Sequence, residues 1–119
     1  MAVVKPKILF IIASDPRNSP RPAEAIRIAA GVGVWQKSEV SVYLRDAAVL
    51  VLDEEVDELM DEESFTRYLP MIAEFDRPIY VQKGAPVMRK IGRASLPSEE
   101  IDDQKLAALT ANSTYVVRW

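Results

Sequence analysis

The 119-residue chain contains no cysteine and no histidine. Without thiols there is no disulfide, no persulfide, no thiolate nucleophile and no Cys/His zinc site. Without imidazole, no side chain is naturally poised to shuttle protons near neutral pH. Any catalysis would rest on carboxylates, Lys, Tyr, Ser or Thr, and the chain is therefore read as a non-enzyme. Long apolar runs are missing too. The longest, ILFIIA at residues 8–13, is far below the ~20 residues needed to span a bilayer. The opening MAVVKPK is not followed by a secretory cleavage site. A cytoplasmic protein with no membrane partner is expected.

Basic charge is not in excess: 15 Lys and Arg stand against 18 Asp and Glu, a net charge of −3, and the sequence pI is about 5.0. A nucleic-acid binder needs clustered cations to displace counterions from phosphates, so nucleic acid is not expected as a partner. The first polar loop, SDPRNSPRP at residues 14–22, has no glycine, and its prolines remove backbone donors. A phosphate-cradling loop needs glycines so that N–H groups can wrap the anion. Classical ATP or NAD chemistry is not expected on that ground, and no cofactor is expected.

What is present is an α/β alternation within one domain, residues 1–119, of a size that supports one core. Residues 7–13 read as a strand apolar on both faces, as in the middle of a parallel sheet. A helix is expected from about Pro22, with Ile26, Ala29, Ala30, Gly33 and Val34 on one face. The small residues on that stripe would let it lie close to a sheet or another helix. EVSVYL, residues 39–44, alternates and is β-branched, hence a second strand. RDAAVLVLD is either a short helix or a strand continuation.

In residues 53–75, Val56, Leu59 and Met60 form one stripe, and Phe65, Tyr68, Leu69 and Ile72 another. The two stripes do not share a phase, and Pro70 should break or kink any continuous helix, so two shorter helices are expected. Residues 78–82 form a third strand, followed by a loop at 83–86 and a short helix to about Ile91. A capping signature at Ser98, with Ile101, Leu106 and Leu109 behind it, predicts a helix to about Ala111. TYVVRW closes the chain as a strand. Strands alternating with helices argue for a mostly parallel sheet covered on both faces, a three-layer α/β/α domain.

Open α/β sheets bind ligands at the carboxyl ends of their strands. The loops there offer Ser14, Asp15, Arg17, Asn18, Arg45, Asp46 and Lys83, an anion-friendly set. Turn chemistry and solvation are the plainer account of such residues, and a ligand or partner contact the sharper one. The acidic run DEEVDELMDEE has no glycine and spreads its charges round a helix, which suits a solvated face rather than a metal site. Asp15 and Asp46 could act as paired carboxylates only if the fold brought them together. Arg89 and Arg93 share a helical face with Lys90 beside them, either a solubilising face or a patch for an acidic partner.

The succession KILFIIAS, AEAIRIAAGVGVW, EVSVYLRDAAVLVL, RPIYVQKG, MRKIG and KLAALTANSTYVVRW resembles the DsrE/DsrF/DsrH-like family, which includes the Tus sulfur-relay subunits. The resemblance covers most of the chain and implies a doubly wound sheet of about five strands, with assembly as a trimer or hexamer or in a hetero-complex with related subunits. In that family the third strand often ends in a cysteine that carries sulfur as a persulfide. The position falls here on Gln82 or Lys83, and RKIG is similar to a later turn of the family. The terminal Trp119 is similar to the ending of the non-catalytic members. The resemblance thus implies the backbone of an active loop without its reagent, shaped by Gly84 and Pro86, with Gln82, Lys83, Gly84 and Arg89 as contacts for a partner or ligand. Val87 and Met88 are interface or core.

Two functions are carried forward. One is a non-catalytic DsrE-like assembly or partner-binding protein associated with sulfur-transfer systems. The other is a small-molecule or anion-binding module, for a nucleotide, phosphate or sulfur oxyanion, using the strand-end loops.

Overall fold

In the computed structural model, which describes residues 5–35, 37–52, 59–75, 77–84 and 98–119, five strands form one parallel sheet. They are β1 (Lys7–Ile12), β2 (Glu39–Leu44), β3 (Ile79–Gln82), β4 (Ser98–Ile101) and β5 (Tyr115–Arg118), in the order β4-β3-β2-β1-β5. The helices are α1 (Arg21–Val34), α2 (Glu62–Ala73) and α3 (Asp103–Asn112), with a 3-10 helix at Asp46–Leu52.

The topology decides which helix covers which face. From β1 to β4 the chain steps across the sheet in one direction, and right-handed crossovers keep α1 and α2 on one face. The step from β4 back to β5 reverses direction and carries α3 to the other face. Side-chain packing agrees. Phe10, Ile12, Val42, Leu44 and Val81 meet α1, α2 and the 3-10 helix. Leu9, Ile11, Tyr43 and Ile101 face Leu106 and Leu109 of α3. Residues 9–12 of β1 are buried on both faces, which is why that segment has no polar alternation.

The small-residue stripe of α1 does what its composition suggests. Ile26, Ala29, Ala30 and Gly33 are buried, and Gly33 lies so close to the Phe75 ring that a Cβ there would collide with it. Val34, expected on the same stripe, is instead exposed at the helix end. The 3-10 helix resolves the RDAAVLVLD alternatives in favour of a short helix, with Ala48–Leu52 buried.

Two expectations are corrected. α2 is the second of the two helices expected in residues 53–75, with Phe65, Leu69 and Ile72 of its stripe buried, but Pro70 does not break it: the helix runs through Pro70 on its exposed side. The missing bond there falls on the Thr66 carbonyl, and Thr66 is exposed, so water can replace the donor. Ser98 does not cap a helix; SEEI is strand β4, in register with β3 from Ile79↔Ser98 to Gln82↔Ile101. The cap of α3 is Asp102, whose carboxylate accepts the Lys105 N–H at 2.8 Å. The expected stripe residue Val56, together with Pro86, Val87, Met88, Arg89, Lys90, Ile91 and Arg93, lies outside the described residues.

None of the described helices is long and apolar enough to cross a membrane.

Candidate functional site

β5 joins the sheet on the far side of β1, so the strand order reverses between them, the place where open α/β sheets characteristically take ligands. The loop after β1 leaves from this point. Its conformation is set locally: the Asp15 carbonyl accepts from Asn18 N–H (3.1 Å) and Ser19 N–H (3.0 Å). The Asp15 carboxylate accepts from the Arg17 backbone N–H (2.9 Å), from Arg17 Nε (3.0 Å) and Nη2 (2.8 Å), and from Asn18 Nδ2 (3.5 Å). Hydrogen bonding from the Arg17 side chain holds the Asp15 carboxyl below the usual carboxylate range and raises Arg17 in turn. Of the residues expected in this loop, Asp15, Arg17 and Asn18 therefore come together, but on one another.

The loop after β2 behaves similarly. Arg45 Nε lies 3.4 Å from the Asp46 carboxylate. Asp46 adopts a left-handed backbone, φ 52°, and its N–H donates to Gln82 Oε1 at 3.0 Å. Gln82, which with Lys83 is one of the two positions where the resemblance places a cysteine, thus ties the end of β3 to the loop after β2. Lys83 N–H continues the β3–β4 ladder by donating to the Ile101 carbonyl (3.0 Å). Gly84, φ 74°, makes the left-handed turn that favours glycine. Asp15 and Asp46 are each engaged by an arginine of their own loop. Arg89 lies outside the described residues.

Three features here were not found from the sequence. The Arg21 guanidinium lies 5.5 Å over the Trp119 ring, linking the first turn of α1 to the residue after β5. The Trp119 indole N–H is buried without a hydrogen-bond partner among the described residues, and so is the Tyr43 hydroxyl. Tyr43 is fully buried between the sheet and α3, and its burial pushes the phenol pKa up, so the hydroxyl stays neutral. A cation at a helix N-terminus opposes the macrodipole. That mismatch at Arg21 was the legible hint of a tertiary contact; an orphaned hydroxyl leaves no trace in a sequence. Among the described residues, no three Asp or Glu side chains gather as a metal would require.

Apolar surface is exposed elsewhere. At the far end of α1, Trp35 is 75% exposed beside Val34, next to a groove of about 450 Å³ lined by Arg27, Ile28, Val32 and Lys37. On β5, Tyr115 is 60% exposed, and α3 has no buried residue along its ten positions.

No protein-family model matches the chain, and no curated protein matches it by sequence. Among solved structures, it is similar to the ychN protein from E. coli, with a TM-score of 0.77 at 18% identity over 96% of this chain and 99% of that one. The DsrE-like α/β fold implied by the resemblance is thereby shown.

Proposed function

We propose that this chain, on the fold it shares with the ychN protein, is a non-catalytic DsrE-like assembly or partner-binding protein associated with sulfur-transfer systems. The observation that carries the reading is the end of the molecule built by α3 and β5. A ten-residue helix with no fully buried residue, its Leu106 and Leu109 only half-buried against the sheet, lies beside a strand without a single fully buried residue. Helices gain most of their stability by burying an apolar face, so this half-packed end fits a surface completed by another subunit. Two further facts support it. No residue of the chain can carry a persulfide, since it has no cysteine. The charges expected to hold a ligand instead pair within their loops, Arg17 with Asp15 and Arg45 with Asp46. Native mass spectrometry of the gently purified protein tests the reading: it expects a multimer, and a monomer at every accessible concentration would refute it.

A second reading, an anion or small-molecule module at the strand ends, is favoured by two buried donors without partners among the described residues, Tyr43 Oη and Trp119 Nε1. It expects a phosphate, nucleotide or sulfur oxyanion to raise the melting temperature, as a ligand specific for the folded state must. That shift should vanish in Arg45→Ala; the same shift in the variant would remove these loops from consideration.

A further inference from the structure

We infer that two copies of this chain join edge to edge through β5 in antiparallel register, extending the sheet across a two-fold axis at Val117. The inference rests on the assembly reading above and names its surface.

Among the described residues, β5 has a strand neighbour on one side only, β1. In a sheet, a residue turns its N–H and C=O to the same side, and successive residues alternate. The Trp119 N–H donates to the Ile11 carbonyl (2.8 Å) and its carbonyl accepts from Ala13 N–H (2.9 Å). Trp119, Val117 and Tyr115 are therefore turned toward β1, while Val116 and Arg118 present their backbone groups to the open edge. Those groups can be satisfied in full only by water or by another strand.

The two edges of the sheet are built differently. β4 carries Glu99 and Glu100 in succession, the kind of charged edge that discourages strand addition. β5 reads Tyr-Val-Val-Arg, aromatic and β-branched residues that favour cross-strand pairing, without an acid or a proline.

Self-pairing also fixes the register. A two-fold axis perpendicular to the sheet keeps each face continuous, so opposed residues must lie on the same face. Tyr115 and Val117 share the α1 face with Ile8 and Phe10; Val116 and Arg118 share the α3 face with Leu9 and Ile11. Centring on Val117 sets Val117 against Val117 of the second copy, Val116 against Arg118, and Tyr115 against Trp119. The outward groups of Val116 and Arg118 then exchange all their N–H···O=C bonds, Arg118 faces no like charge, and exposed Tyr115 is covered by an indole. Centring on Val116 is poorer, because the next residue needed at the edge, Thr114, already gives its N–H to the Lys7 carbonyl (2.7 Å).

Because the chain has no cysteine, a single substitution introduces its sole thiol. In this register the Val117 pair does not exchange hydrogen bonds, so its Cα atoms approach to about 4.5 Å, within disulfide range. Val116 residues are diagonal neighbours about 7–8 Å apart, beyond easy bridging. Mild oxidation should therefore convert Val117→Cys to a covalent dimer and leave Val116→Cys uncoupled; the reverse preference overturns the register. Val116→Pro removes an N–H directed at the open edge, where an isolated subunit tolerates proline. It should keep the wild-type far-UV circular dichroism while native mass spectrometry shows the copy number halved. An unchanged copy number in Val116→Pro, or an odd number in the wild type, overturns pairing through β5 but leaves the assembly reading standing. A wild-type monomer at all concentrations overturns both.

Discussion

Asp15 and Arg17 neutralise one another within two positions of sequence, and this has a measurable pH signature. The Asp15 carboxyl titrates below its ordinary value, chiefly through the Arg17 side chain. A depressed folded-state pKa contributes stability that is present above the unfolded value and lost as pH falls through the folded one. Asp15→Asn should thus lower the melting temperature at pH 7, with the gap to wild type closing in acid; a gap constant down to low pH would mean the charge is irrelevant. The Tyr43 hydroxyl makes the opposite case. A buried polar group without a partner costs about 1–3 kcal/mol, so Tyr43→Phe should leave stability unchanged or raise it by up to about 1 kcal/mol in chemical denaturation. A clear loss would show that the hydroxyl is bonded in solution and would favour the ligand reading. Raised by burial, the Tyr43 pKa also implies that stability falls at alkaline pH, once the unfolded phenol ionises and the folded one does not.

Two glycines of α1 separate helix propensity from packing. Gly31 has open space where a Cβ would project, whereas Gly33 is pressed against Phe75. Gly31→Ala should stabilise by about 0.8–1 kcal/mol, the intrinsic gain of Ala over Gly in a helix. Gly33→Ala gains the same propensity but forces the ring to move, and overpacking of about 1–3 kcal/mol should make it neutral to destabilising. Equal stabilisation by both would mean that Phe75 gives way freely. The elements differ in how well the sequence announced them, for physical reasons. β2 was legible to the residue because EVSVYL combines alternation with β-branching. β4 was not, since Ser-Glu-Glu-Ile carries helix-capping chemistry and is held as a strand by pairing with β3. Pro70 misled because its cost depends on whether the orphaned carbonyl can reach water, which a helix pattern alone does not reveal. At the candidate site, the loops named from the sequence do leave the carboxyl ends of β1, β2 and β3. Their charges pair inside those loops, and Gln82 bonds to Asp46 across 36 positions, a contact only the tertiary fold supplies.

For the whole molecule, the asymmetry of coverage is the main feature. One face of the sheet is packed by α1, α2 and the buried 3-10 helix, while among the described residues α3 is the helix on the other, with no residue of its own buried. The domain organises five parallel strands without a thiol at the end of the third, so no cysteine persulfide can form on this chain. A surface completed by association should also make stability depend on protein concentration: dilution should lower the melting temperature, and a melting temperature independent of concentration would argue against it. The most direct measurement is native mass spectrometry of the wild-type chain across a dilution series. A complex of an even number of copies that separates into subunits on dilution is expected; a monomer throughout the series would contradict association through β5.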